Sequence, residues 1–98
     1  MNEEYAKKCF IEVMEGIGVP KHYYSLDGYQ EESVCMSKQD GKWIVFEGER
    51  ASKYNIQEFS NIKDACIECI RRLAYLNEEF ECLKNRFECL LSRENMGD

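Results

Sequence analysis

The sequence has one histidine, His22, and that scarcity removes much of enzyme chemistry. A cluster of histidine metal ligands cannot be assembled, and a serine or cysteine nucleophile would depend on a single imidazole. Ser25 and Ser37 lack the flanking glycines of a nucleophile elbow. Glycine-rich phosphate loops, dinucleotide fingerprints and the HExxH pattern are missing too. A non-catalytic chain that needs neither cofactor nor metal is therefore expected. Proline occurs once and no Gly/Ser-rich tract appears, which argues against a disordered linker. No apolar run nears the ~20 residues that cross a bilayer, and the opening Met1-Asn2-Glu3-Glu4-Tyr5 is acidic where secretory leaders begin basic. These features predict a cytoplasmic chain with no membrane partner, whose six cysteines remain thiols.

What is present suits one folded unit. Ninety-eight residues, 44% hydrophobic and 33% charged, support a single core rather than two. The formal charge of −6 disfavours direct nucleic-acid binding, which is driven by Lys and Arg, and favours a basic protein as partner.

The apolar period switches twice along the chain. Ala6, Cys9, Phe10, Val13, Met14 and Ile17 mark one face of a helix over 3–16, with Asn2 as cap and Gly16, Gly18 and Pro20 as its end. The period then becomes two over 22–26, 33–37 and 43–47, which predicts three strands. Asp27-Gly28 and Asp40-Gly41 are turn formers, so an antiparallel meander is expected, with connections too short for parallel crossovers. Residues 48–55 read as a loop or an edge strand, with Tyr54, Ile56 and Phe59 able to form a short fourth strand. Ser60 or Asn61 offers the next helix cap, and Phe59 a staple against it.

From Ile62 the pattern is helical for about thirty residues. Cys66, Cys69, Leu73, Leu76, Phe80, Leu83, Phe87 and Leu90 form a heptad seam. Asn77, followed by Glu78 and Glu79, is where one helix can end and another begin, so a kinked helix or two helices joined by a minimal turn are both open. A helix hairpin would require a longer loop. The fold class is α+β: a helix at 3–16, a three- or four-stranded antiparallel sheet within 22–59, a helical region over 61–93 packed on that sheet, and a frayed tail at 95–98.

Among residues able to carry chemistry, His22 is read as a strand-end residue. Cys66-x-x-Cys69 has the spacing of a zinc or redox pair, yet no second pair accompanies it and both residues fall on the apolar seam, so core packing is the preferred reading over a zinc-dependent module. Cys82 and Cys89, seven apart, lie beside the seam. The carboxylates are most suggestive around one hairpin: Glu47 and Glu49 alternate on one strand and so share a face, while Asp27, Glu31 and Glu32 lie in the preceding turn with Tyr29 as an aromatic anchor. With Arg50 these are the candidate partner-binding residues. The bland alternative is a solvated face.

Tyr24 through Gly28, Gly41 through Ala51, Phe59 and Asp64-Ala65-Cys66 together carry a resemblance. The chain resembles small bacterial immunity proteins that neutralise polymorphic or contact-dependent growth inhibition toxins. Such proteins look like a short meander ending in Trp-x-Val, then Glu-Arg-Gly, then Phe and a helix opening with an Ala-Cys-like pair. Trp43, Val45, Glu49, Arg50, Phe59, Ala65 and Cys66 occupy those places, and Ala51 stands at the glycine. The match covers about half of the chain, leaving out the first helix and the C-terminal extension. It implies a cytoplasmic protein that binds the toxin domain encoded beside it and blocks its active site or substrate path. The acidic balance fits a nuclease toxin with a basic groove. A different expectation is a dimerisation or regulatory module, a homodimer through the C-terminal helix, because the heptad seam outlasts what short strands can cover.

Overall fold

Three helices and a four-stranded sheet make up the computed structural model, which describes residues 2–74 and 80–96. Helix α1 spans Glu3–Gly16; the Asn2 side chain accepts a hydrogen bond from the Tyr5 amide at 3.0 Å, and Glu3 and Glu4 occupy the first turn, where the helix dipole favours anions. A single 3-10 turn, Lys21–Tyr23, leads into β1, Tyr24–Ser25. Then come β2, Ser33–Gln39; β3, Lys42–Glu49; and β4, Ser52–Phe59. Helix α2, Ile62–Leu73, is capped by Asn61, which accepts from the Asp64 amide at 2.8 Å; α3 runs Phe80–Met96.

The sheet order is β1-β2-β3-β4, and β2, β3 and β4 form the expected antiparallel meander. The ambiguous segment is a full eight-residue edge strand. β1 departs from expectation, because it pairs parallel to β2, Tyr24 with Val34 and Ser25 with Cys35. A parallel return normally needs a long crossover, but here the ladder is two residues long. The chain must travel back only about 7 Å, which seven linking residues span easily. The link folds over the outer face of the sheet. Its Gly28 amide donates to the Met36 carbonyl at 2.9 Å and its Glu32 amide to the Gly48 carbonyl at 2.7 Å. Gln30 Nε2 donates to Ser33 Oγ and approaches the His22 and Tyr24 carbonyls, while Ser33 Oγ donates to His22 O, so one amide and one hydroxyl fasten β1 to the start of β2.

Alternation along β2 and β3 divides the apolar residues between two faces. Met36, Trp43 and Val45 join the main core with Phe10, Val13 and Met14 of α1, Ile62, Cys66, Cys69 and Ile70 of α2, and Phe80, Leu83, Phe87 and Leu91 of α3. Cys35, Ile44 and Phe46 form a small cluster on the other face. Tyr29 stacks on Phe46, 6.4 Å between ring centres, and Lys53 lies 5.0 Å above the same ring.

The helical region is two helices, as one of the two alternatives had it, but their arrangement differs from expectation. Lys63 of α2 pairs with Glu88 of α3 at 3.6 Å, and Arg71 lies 4.4 Å over the Phe80 ring. These contacts advance in opposite directions along the two helices, so α2 and α3 are antiparallel, the hairpin that the loop-length argument had set aside. The expected cap at Asn77, with Glu78 and Glu79, and the seam residue Leu76 lie outside the described residues. Helix α1 packs against α3, with the Tyr5 hydroxyl donating to the Leu90 carbonyl at 2.9 Å. α3 continues to Met96, into the stretch expected to fray; residues 97–98 lie outside the described part. No helix among the described residues is long and apolar enough to cross a membrane.

Candidate functional site

The seven candidate residues separate into three settings. Asp27 is tied to α1, its carboxylate accepting from Lys7 Nζ at 2.6 Å. Tyr29 and Glu31 are engaged within the fold. The Tyr29 hydroxyl donates to Glu31 Oε1, and the Glu31 carboxylate accepts the backbone amides of Arg50 at 2.6 Å and Ala51 at 3.2 Å. Those two residues form the β3–β4 turn with φ of 53° and 63°, left-handed geometry that favours glycine, adopted here by arginine and alanine. Glu31 therefore ties down a turn whose backbone is costly. The hydrogen bond from Tyr29, then those from Ala51 and Arg50, hold the Glu31 carboxyl below its ordinary value, and the same bond to Glu31 raises the Tyr29 hydroxyl.

Glu32, Glu47 and Glu49 come together at a cleft of about 450 Å³, where the far end of β3 meets the C-terminus of α2. Strand periodicity correctly put Glu47 and Glu49 on one side. The remaining walls are Tyr23, Ser33, Val34, Gly48, Arg72 and Leu73. Glu49 and Arg50 make no ion pair with each other among the described residues.

Arg72 organises the cleft, and the sequence reading missed it. Its side chain is only 10% exposed; Nε meets Glu68 Oε2 at 3.0 Å, Nη2 donates to the Asn55 carbonyl at 2.7 Å and to Gln57 Oε1 at 2.9 Å, and Nη1 lies 3.5 Å from Glu47 Oε2. Glu47 also accepts from Asn55 Nδ2 at 2.9 Å. A largely covered guanidinium with several acceptors ties α2 to β3 and β4. The available signal was Glu68 four residues before Arg72, a helical ion-pair spacing, which gives no hint of a strand partner.

Gly48 carries a second constraint on the cleft wall. A Cβ there would lie 2.4 Å from the Gln30 carbonyl oxygen and 3.0 Å from the Tyr29 ring, so the crossing link demands glycine at this point.

The other chemical candidates sit elsewhere. His22 is exposed, its ring edge-on to Tyr23 at 4.9 Å. Cys9, Cys35, Cys66 and Cys69 are buried thiols. Burial pushes Cys66 up to about 12, helped by the nearby Cys9, and raises Cys69 well above its ordinary value. Among the described residues no group of three or more His, Cys, Asp or Glu is placed to hold a metal ion. The Tyr24 hydroxyl is buried without a hydrogen-bond partner among the described residues, and desolvation raises it.

Comparison with protein-family models, with curated proteins and with solved structures gives no match for this chain.

Proposed function

We propose that the chain is an immunity protein: it binds a cognate bacterial toxin domain, a basic nuclease, and neutralises it by blocking its active site or substrate path. The observation that carries this reading is the cleft lined by three carboxylates, Glu32, Glu47 and Glu49, and by apolar Val34, Leu73 and Tyr23, with Arg72 engaging Glu47. Lysine and arginine side chains combine an aliphatic stem with a cationic head, and such a cleft suits both parts. The formal charge of −6 acts in the same direction by steering a basic partner toward the surface. The resemblance of Trp43, Val45, Glu49 and Arg50 to the immunity-protein pattern supports this choice of family. Within this reading Tyr29 and Glu31 support the rim by fixing the β3–β4 turn, and Asp27 lies outside the contact.

The competing idea of a C-terminal dimerisation helix has lost its main motive, since α1 packs on α3 and a second copy is not required to cover it.

Co-expression with the product of the adjacent gene tests the proposal. A tight complex is expected, and Glu32→Lys with Glu49→Lys should weaken it by about a hundredfold or more, chiefly at low salt. A neighbour that does not bind, or binding indifferent to both reversals, defeats it.

A further inference from the structure

The edge strand β4 has every residue from Ser52 to Glu58 exposed, including Tyr54 at 45% and Ile56 at 54%. The two-residue turn at Arg50-Ala51 makes Glu49 and Ser52 the closing pair, which exchanges both backbone hydrogen bonds. Bonding then alternates along β3, so Gly48 and its partner Lys53 direct their backbone groups away from one another. The same count reaches Ile44 and its partner Glu58. Lys53 and Glu58 thus present unpaired backbone donors and acceptors to the outside.

They are five positions apart, which would ordinarily set them on opposite faces. The bulge at Asn55-Ile56, opposite Phe46, adds one residue and restores both to the face bearing Ile44 and Phe46. A strand whose charged outward positions, one cationic and one anionic, share one face is complementary to itself when reversed.

We propose that two copies of the chain pair through β4, antiparallel, with Lys53 of one copy opposite Glu58 of the partner subunit, joining two four-stranded sheets into one. A two-fold axis normal to the sheet maps each face onto itself and requires outward positions to meet outward positions. The registers that set charged positions opposite one another are Lys53 against Lys53, Glu58 against Glu58, and Lys53 against Glu58. The first two set like charges directly opposite, which destabilises a strand pair, while the third forms two cross-strand ion pairs. It also brings the exposed Ile56 of each copy to the axis. The proposal is independent of the toxin reading.

Sedimentation velocity of the full chain across the micromolar range tests it. A concentration-dependent dimer is expected, weakened about tenfold or more by Lys53→Glu alone and by Glu58→Lys alone, because each converts two attractive pairs into two repulsive ones. The double reversal Lys53→Glu/Glu58→Lys should restore the dimer, and Ile56→Asp should abolish it. Circular dichroism of each variant should match the parent, since these side chains are exposed. A monomer at every concentration overturns the proposal. So does a dimer indifferent to both single reversals, as pairing through α3 would be, or a monomer whose β4 accepts only another protein's strand.

Discussion

β3 and β4 are neighbours of equal length joined by the shortest of turns, yet Trp43 to Phe46 of β3 are buried in succession while β4 buries nothing beyond part of Phe59. Helices cover one face of β3, and Tyr29 with its neighbours covers the other. β4 has Arg72 bonding to its backbone and to Gln57, but no apolar layer of its own. A strand becomes core by what crosses it, and its own composition decides less: Tyr54 and Ile56 are as β-prone as Ile44 and Val45.

The strongest way to break the contrast is Phe46→Ala, which empties the buried outer cluster beneath Tyr29; a loss of about 3–5 kcal/mol is expected in urea denaturation. Gly48→Ala should follow, at about 1–3 kcal/mol, because the new methyl meets the Gln30 backbone, which cannot move without lifting the link. Ala51→Gly should act in the opposite sense and stabilise the chain by about 1 kcal/mol by relieving left-handed geometry at a residue with a Cβ.

A pH titration sharpens the comparison at the turn between the strands. The Glu31 carboxyl is held below 4.5 in the fold, so its contribution is present above that value and is lost as pH falls through the lower folded value. Amide exchange at Arg50 and Ala51 should therefore lose protection below pH 4.5 before the core opens, and Glu31→Gln should remove that step. On β4 itself, Ile56→Thr should change the stability of the monomer by no more than about 0.5 kcal/mol. A large loss there would mean that β4 is core after all.

The sequence announced what local periodicity can announce. The bounds of α1, the cap Asn2, a second cap at Ser60 or Asn61, the β2–β3 hairpin and the common side of Glu47 and Glu49 all follow from spacing within a dozen residues. The parallel β1 was illegible because its two-residue ladder is shorter than the rule about crossovers assumes. The α2–α3 hairpin was hidden by a heptad phase that runs unbroken through Asn77, since phase reports which residues are apolar and says nothing of chain reversal. Arg72 and Gly48 owe their roles to chain crossing, Arg72 reaching β4 and Gly48 lying under Gln30. The acidic candidates were found as a set because charge is local, but their division among Lys7, the turn and the cleft is a property of the fold.

The distribution of the cysteines gives the protein an internal clock. Cys82 and Cys89 are exposed on α3, while Cys35, Cys66 and Cys69 are buried with thiols raised by desolvation. An alkylating reagent attacks thiolate, so it should modify the first two at once and the buried set only at the rate at which the core opens. Counting mass additions over time then reports opening of the helix–sheet interface, with no substitution introduced into the chain.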